Sequence, residues 1–190
     1  HLLFVYNKIM LIFIGADHRG FKLKESLKNF LNNEGYEVVD LGNAVYDEND
    51  DYPDIAALVA KSVVPDPSTR RGILICGSGV GVNIVANKIN GVRSALVYSP
   101  DQAYASRNDA DTNILSLAAN FTDEETAQKI VSTWLQTPFS GEERHKRRLE
   151  KISEIEAENK PIGNNLVENS AESDDIEYPQ EHQEFTPIDN

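Results

Sequence analysis

The chain is poor in sulfur: its 190 residues hold one cysteine and one methionine. A single thiol cannot close an intramolecular disulfide, and a reducing compartment, the cytoplasm, suits it. Cations are also scarce, with 18 Lys and Arg against 31 Asp and Glu and a formal charge of −13. That balance argues against a nucleic-acid or membrane-surface partner, because phosphates are bound by clustered Lys and Arg. Long apolar runs are missing as well. No stretch approaches the roughly 20 residues that span a bilayer. The apolar start at residues 2–6 has neither a basic flank nor a small-residue cleavage site, so it does not read as a signal peptide. The only methionine is Met10. Residues 1–9 therefore read as a leader or an upstream artefact, with Met10 as the native start.

The acidity is uneven. Residues 159–190 carry eight acids against one base, Lys160, which places −7 of the −13 there. Three prolines and the lack of any sustained apolar period leave this tail unable to offset its ordering entropy, so disorder is expected. It reads as a solubilising tail, with partner binding as the other reading.

Residues 10–158 alternate strand and helix. Short apolar runs at 11–14, 38–42, 72–76, 92–97 and 114–117 read as strands. Between them, Phe21, Leu23, Leu27, Phe30 and Leu31 mark one helix face, and Ile55, Leu58, Val59 and Val63 another. Further helices are expected at 82–88, after Pro100, from a Thr122/Glu125 capping box, and over 142–158. Repeated β-α units with apolar strands imply a three-layer, Rossmann-like α/β fold, a central parallel sheet flanked by helices. Ligands of such sheets bind at the carboxyl ends of the strands.

Cys76 ends one of those strands and opens the loop Gly77-Ser78-Gly79-Val80-Gly81. Glycines let a backbone approach a ligand and aim successive N–H groups at one oxygen. The functional reading is a substrate or anion site; the plain one is a small buried residue, common for free cysteine. Asp17 and His18 follow the first strand and so share a rim with Cys76. A lone histidine there is often a structural hydrogen-bonder, but an adjacent Asp and a glycine loop on the same rim favour function. Arg144 and Arg148 are spaced i, i+4 on the last helix. They either grip a phosphate with forked hydrogen bonds or form a solvated face paired to Glu142, Glu143 and Glu150.

Taken together, the motifs resemble the type B ribose-5-phosphate isomerase family, which includes the galactose-6-phosphate isomerase subunits. They are Gly15-Ala16-Asp17-His18-Arg19-Gly20, Asp51-Tyr52-Pro53, Cys76-Gly77-Ser78-Gly79-Val80-Gly81, Ala86-Asn87-Lys88, Gly91-Val92-Arg93 and Arg144-His145-Lys146-Arg147-Arg148. The likeness runs from about Leu11 to Ile155. It implies an aldose–ketose isomerase without metal or cofactor, acting on a sugar phosphate through a cis-enediolate. By the resemblance, Cys76 is the base, as its thiolate. A free thiol has a pKa of about 8.5, so the role needs groups that favour the charged form. Some relatives carry a Glu where this chain has Val82, which takes no proton. The amides of Gly77, Gly79 and Gly81, with the Ser78 hydroxyl, match an oxyanion hole. His18, Arg144 and Arg148 match phosphate ligands, while Asp17 and Tyr52 match residues around the sugar. The family implies a homodimer or homotetramer with active sites shared between subunits.

Two positions depart from the family pattern. Asp109 stands where relatives have the histidine credited with ring opening, and an ionised carboxylate is a poor proton donor near neutral pH. Asn120 stands where relatives often have a phosphate-binding Arg. The leading reading is interconversion of ribose 5-phosphate and ribulose 5-phosphate. The same chemistry on a hexose 6-phosphate or tetrose phosphate, and a catalytically silent partner subunit, stay open beside it.

Overall fold

The inner runs become strands buried on both faces, those at 11–16, 70–76 and 114–118, while the two edge strands are half-buried, and helices cover the sheet. The computed structural model describes residues 10–158, so the readings of the leader and the acidic tail fall outside it. Along the chain come β1 (Leu11–Ala16), α1 (Phe21–Asn33), β2 (Glu37–Asp40), α2 (Tyr52–Val63) and β3 (Arg70–Cys76). They are followed by α3 (Val80–Ala86), β4 (Ser94–Leu96), α4 (Pro100–Ala110), β5 (Ile114–Ala118), α5 (Glu124–Gln136) and α6 (Glu143–Glu158). All strand pairs are parallel, in the order β2-β1-β3-β5-β4. The three-layer α/β expectation holds. No described helix is long and apolar enough to cross a membrane.

Alternation along β3 divides the core in two. Ile73 and Ile75 join Leu27, Leu31, Ile130 and Trp134 on one face. Leu74 and Cys76 join Val59, Val63, Val82 and Ala86 on the other. The Cys76 side chain is thereby delivered to the α2/α3 side. Trp134 is wholly buried and its indole N–H donates to Thr112 Oγ1 at 2.9 Å, the partner such a ring needs once out of water.

Local departures from the expected pattern have physical reasons. Leu58 faces solvent instead of the core. It lies well off the stripe of Ile55, Ala56, Val59, Ala60 and Val63, whose two alanines let α2 sit close on the sheet. Thr122 does not cap α5: its hydroxyl is buried without a partner. Asp123 caps instead, accepting from the Thr126 N–H at 2.9 Å and hydroxyl at 2.7 Å, since a carboxylate offers two oxygens where a hydroxyl offers one. The helix α3 starts two residues before the expected 82, taking in Val80 and Gly81, and β4 is shorter than the 92–97 run.

After β1 the chain winds outward to β2, then crosses back to β3 on the other side of β1. The sheet therefore has a switch point between β1 and β3, where carboxyl-end loops part and leave a crevice.

Candidate active site

The crevice is a cleft of about 560 Å³ walled by the loops after β1, β3 and β5 and by the start of α2. Of the residues singled out in the sequence, Asp17, His18, Tyr52, Cys76, Gly77, Ser78 and Gly81 line it. The loops are zipped together by main-chain bonds. Ala119 N–H donates to the Cys76 carbonyl and Asn120 N–H to that of Gly77, both at 2.9 Å. Asp17 is buried, and its Oδ1 accepts the Gly20 N–H at 3.0 Å, which ties the β1 loop to the start of α1.

The Cys76 thiol is almost wholly enclosed, and the Gly79 N–H donates to its Sγ at 3.1 Å. A hydrogen bond to sulfur from a fixed amide stabilises negative charge on it. Gly79 can make this bond because it takes φ +74, where L side chains rarely sit. A Cβ there would also lie 2.4 Å from Leu96 Cδ1 and 3.0 Å from the Leu117 carbonyl. In this structure the Gly79 amide, expected from the resemblance to face an oxygen together with those of Gly77 and Gly81, is directed at the sulfur. Gly81 N–H lies in the first turn of α3, where amides have no intrahelical acceptor. Close approach also fixes the neighbours. A Cβ on Gly81 would meet the Tyr52 ring at 2.7 Å, and one on Gly77 would meet Arg19 Cδ at 2.7 Å. The two glycines thus seat Tyr52 and Arg19 against the loop.

Of the other four lining residues, Asn120 was named only as a departure from the family pattern, and Arg19, Val80 and Ile84 were not singled out as site residues by sequence reasoning. Arg19 is the guanidinium of the cleft and forms no ion pair with a described residue. Asn120 lies beside it, its Nδ2 3.1 Å and Arg19 Cδ 2.7 Å from where a Cβ on Gly77 would sit. Val80 and Ile84, one turn apart on α3, are 45% and 53% exposed and form an apolar ledge at the cleft edge. Arg19 was hidden within a motif read for its neighbours, whereas nothing local marked the ledge.

Asp109, Arg144 and Arg148 are not in this cleft. α4 runs back from the carboxyl end of the sheet, so Asp109 in its last turn lies at the strands' amino end. The start of α6 is beside it, with His145 Nε2 3.8 Å from Asp109 Oδ1 and Ser140 N–H bonded to the Asn108 carbonyl. Asn113, just beyond α4, is level with Gly72, whose N–H it accepts, so about 13 Å of strand separates this end from Cys76. Arg144 is exposed and paired to Glu142 at 2.7 Å. Its guanidinium holds the Glu142 carboxyl below the usual carboxylate range, and its own pKa is raised in return. Within one chain this is the solvated face that the sequence left open. His145 is buried, with Nδ1 2.8 Å from Ser140 Oγ.

The family model described as Ribose/Galactose Isomerase matches residues 12–152. The chain is 44% identical over 147 residues to a Mycoplasma genitalium protein named probable ribose-5-phosphate isomerase B, covering 77% of this chain and 96% of that one. It is 41% identical over 145 residues to ribose-5-phosphate isomerase B of Escherichia coli, covering 76% and 95%. Among solved structures, ribose-5-phosphate isomerase B from Mycoplasma genitalium with bound ribulose-5-phosphate matches with a TM-score of 0.76 and 44% identity. That match covers 78% of this chain and 97% of the other.

Proposed function

The chain belongs to the ribose/galactose isomerase family, and we propose that it interconverts ribose 5-phosphate and ribulose 5-phosphate with the Cys76 thiolate as base. It is an aldose–ketose isomerase of sugar phosphates. The observation that carries the base assignment is the hydrogen bond from Gly79 N–H to Cys76 Sγ at the floor of the switch-point cleft.

The chemistry follows from the placement. The thiolate takes a proton from C1 of the open-chain ketose, and the electron pair forms the C1–C2 double bond of a cis-enediolate. Charge develops on the C2 oxygen, which the amides of Gly77 and Gly81 and the Ser78 hydroxyl hold. The hydroxyl proton on O1 then passes to the cis C2 oxygen, the O1 electron pair forms the C1 aldehyde, and the C1–C2 double-bond pair takes the proton back from the thiol at C2, leaving the thiolate. One carbon is oxidised as its neighbour is reduced, so no outside oxidant is consumed. Asp17 and Tyr52 flank the sugar. His18 meets the phosphate, and Arg19 supplies a guanidinium on the wall where Asn120 replaces the arginine of relatives.

Asp109, Arg144 and Arg148 complete a site only if a second copy brings its amino-end corner to this cleft. The distance between the two half-sites in one chain supports that reading, and the ledge of Val80 and Ile84 offers apolar surface for the contact. The working unit is thus a homodimer or homotetramer of the 10–158 isomerase domain, acting in a reducing cytoplasm that keeps Cys76 a thiol.

The substrate is tested by offering the full chain ribose 5-phosphate, ribulose 5-phosphate, a hexose 6-phosphate and a tetrose phosphate. Interconversion of the two pentose phosphates is expected to be fastest. Faster turnover of the hexose or the tetrose would move the assignment to that sugar, and turnover of none would favour a silent partner subunit.

A further inference from the structure

Lys24 is an unusual residue to bury completely, and its contacts show what it holds. From α1 its Nζ reaches Asp40 Oδ2 at 2.6 Å, the Asn43 carbonyl at 2.9 Å and Glu25 Oε1 at 3.0 Å. An ammonium out of water needs polar partners for its N–H donors; Asp40 and the Asn43 carbonyl accept hydrogen bonds from it and Glu25 adds an ion pair. One of the three is a main-chain carbonyl, so the buried charge pins the loop after β2 at Asn43. That loop then reaches the cleft. Asn43 Nδ2 donates to Asp50 Oδ2 at 3.0 Å. Asp50 Oδ1 accepts both the His18 main-chain N–H at 3.0 Å and its ring Nδ1 at 2.8 Å. The Asp50 side chain is only 7% exposed, and the Tyr46 ring stands edge-on to the imidazole, 6.4 Å between centroids.

These contacts favour one tautomer of His18. Besides the ring, two donors reach the Asp50 carboxyl, the His18 N–H and Asn43 Nδ2, so its oxygens act as acceptors and the 2.8 Å contact is a hydrogen bond when Nδ1 carries the proton. Nε2 bonds to no described residue, and the ring lines the cleft.

We propose that Asp50 is the positioning residue for His18: backed by Asn43 and Lys24, it holds the imidazole by its Nδ1–H so that Nε2 faces the cleft and, on taking up a proton, donates it in a hydrogen bond to the substrate phosphate. The identity of that ligand rests on the function proposed above; the tautomer does not. Asp50 touches no reacting atom and acts through the ring.

Two-bond ¹H–¹⁵N spectra of the imidazoles of the full chain, with the signal assigned by His18→Gln, read the tautomer at a pH where the ring is neutral. His18 is expected as the Nδ1–H form, and inorganic phosphate should move its Nε2 resonance. In Asp50→Ala the Nδ1–H signature should be lost. The phosphate midpoint and the KM for ribose 5-phosphate should each rise about tenfold, with kcat changed far less, the pattern of a lost ground-state contact. Asp50→Asn keeps an acceptor oxygen and should fall between, which also carries the test if the alanine variant does not fold. An Nε2–H form in the unmodified chain, or an unchanged tautomer and phosphate midpoint in both variants, would overturn the proposal. If the spectra behave as expected but ribose 5-phosphate is not turned over, the substrate reading alone fails, because the phosphate titration still reports on Asp50.

Discussion

Gly79 decides how the sulfur is presented. It combines a left-handed backbone, close contact with the Leu117 carbonyl and the only N–H given to Cys76 Sγ among the described residues. Gly79→Ala is expected to cost roughly 2–3 kcal/mol of stability from strain and crowding, read as a lower melting temperature, and to slow turnover beyond any unfolding. Turnover unchanged at full folding would mean that this amide does not serve the base. Gly77→Ala should act differently, because the nearest obstacle is the flexible Arg19 side chain: the fold should survive and KM for the sugar phosphate should rise. At this scale the sequence was informative wherever chemistry and conformation need one residue type. Cys76, the glycines and Asp17 could be picked out for that reason. Asp50 could not, because within Asp47-Glu48-Asn49-Asp50-Asp51 it reads like any solvated acid, and only the fold turns it toward His18.

Among the elements, α1 and β2 are joined by charge. Lys24 and Lys28 both approach Asp40 Oδ2 at 2.6 Å. Burial pushes the Asp40 carboxyl up, but the bonds from the two lysines and from Gly42 N–H outweigh it and hold the group below the ordinary carboxylate range. A carboxyl lowered in the folded state contributes fully above its unfolded value of about 3.9, and that contribution fades as pH falls from there through the lower folded value. Wild type should therefore lose stability below about pH 4 more steeply than Asp40→Asn, in melts run as a pH series. Parallel curves would remove this cluster from the account. Lys24→Met should cost about 2–3 kcal/mol, since it unpairs buried oxygens, although Lys28 remains on Asp40. Element type and order were legible because burial imposes a period on the sequence. Element ends were less so: Asp123 outcompetes Thr122 as cap, and Leu58, read as core from its i+3 spacing to Ile55, falls outside the buried stripe.

For the whole molecule, the separation of the two half-sites matters most. The resemblance implied sites shared between subunits; the fold adds the reason, since Asp109, Arg144 and Arg148 lie at the opposite end of the strands from Cys76 in one chain. If a second copy supplies the missing half, mixing Cys76→Ala with an Arg144→Ala/Arg148→Ala variant should restore activity. Random pairing of dimers leaves about a quarter of the sites intact. No recovery after co-refolding would place each site within one chain. Truncation after residue 158 should leave activity in place, and a large loss would assign the acidic tail a role. The central claim is that Cys76 moves the proton between C1 and C2. Its most direct test is interconversion of ribulose 5-phosphate and ribose 5-phosphate by wild type and Cys76→Ala side by side, with equal folding checked by melting. The account predicts a loss in kcat of about 10²- to 10⁴-fold in the variant; turnover at the wild-type rate would contradict it.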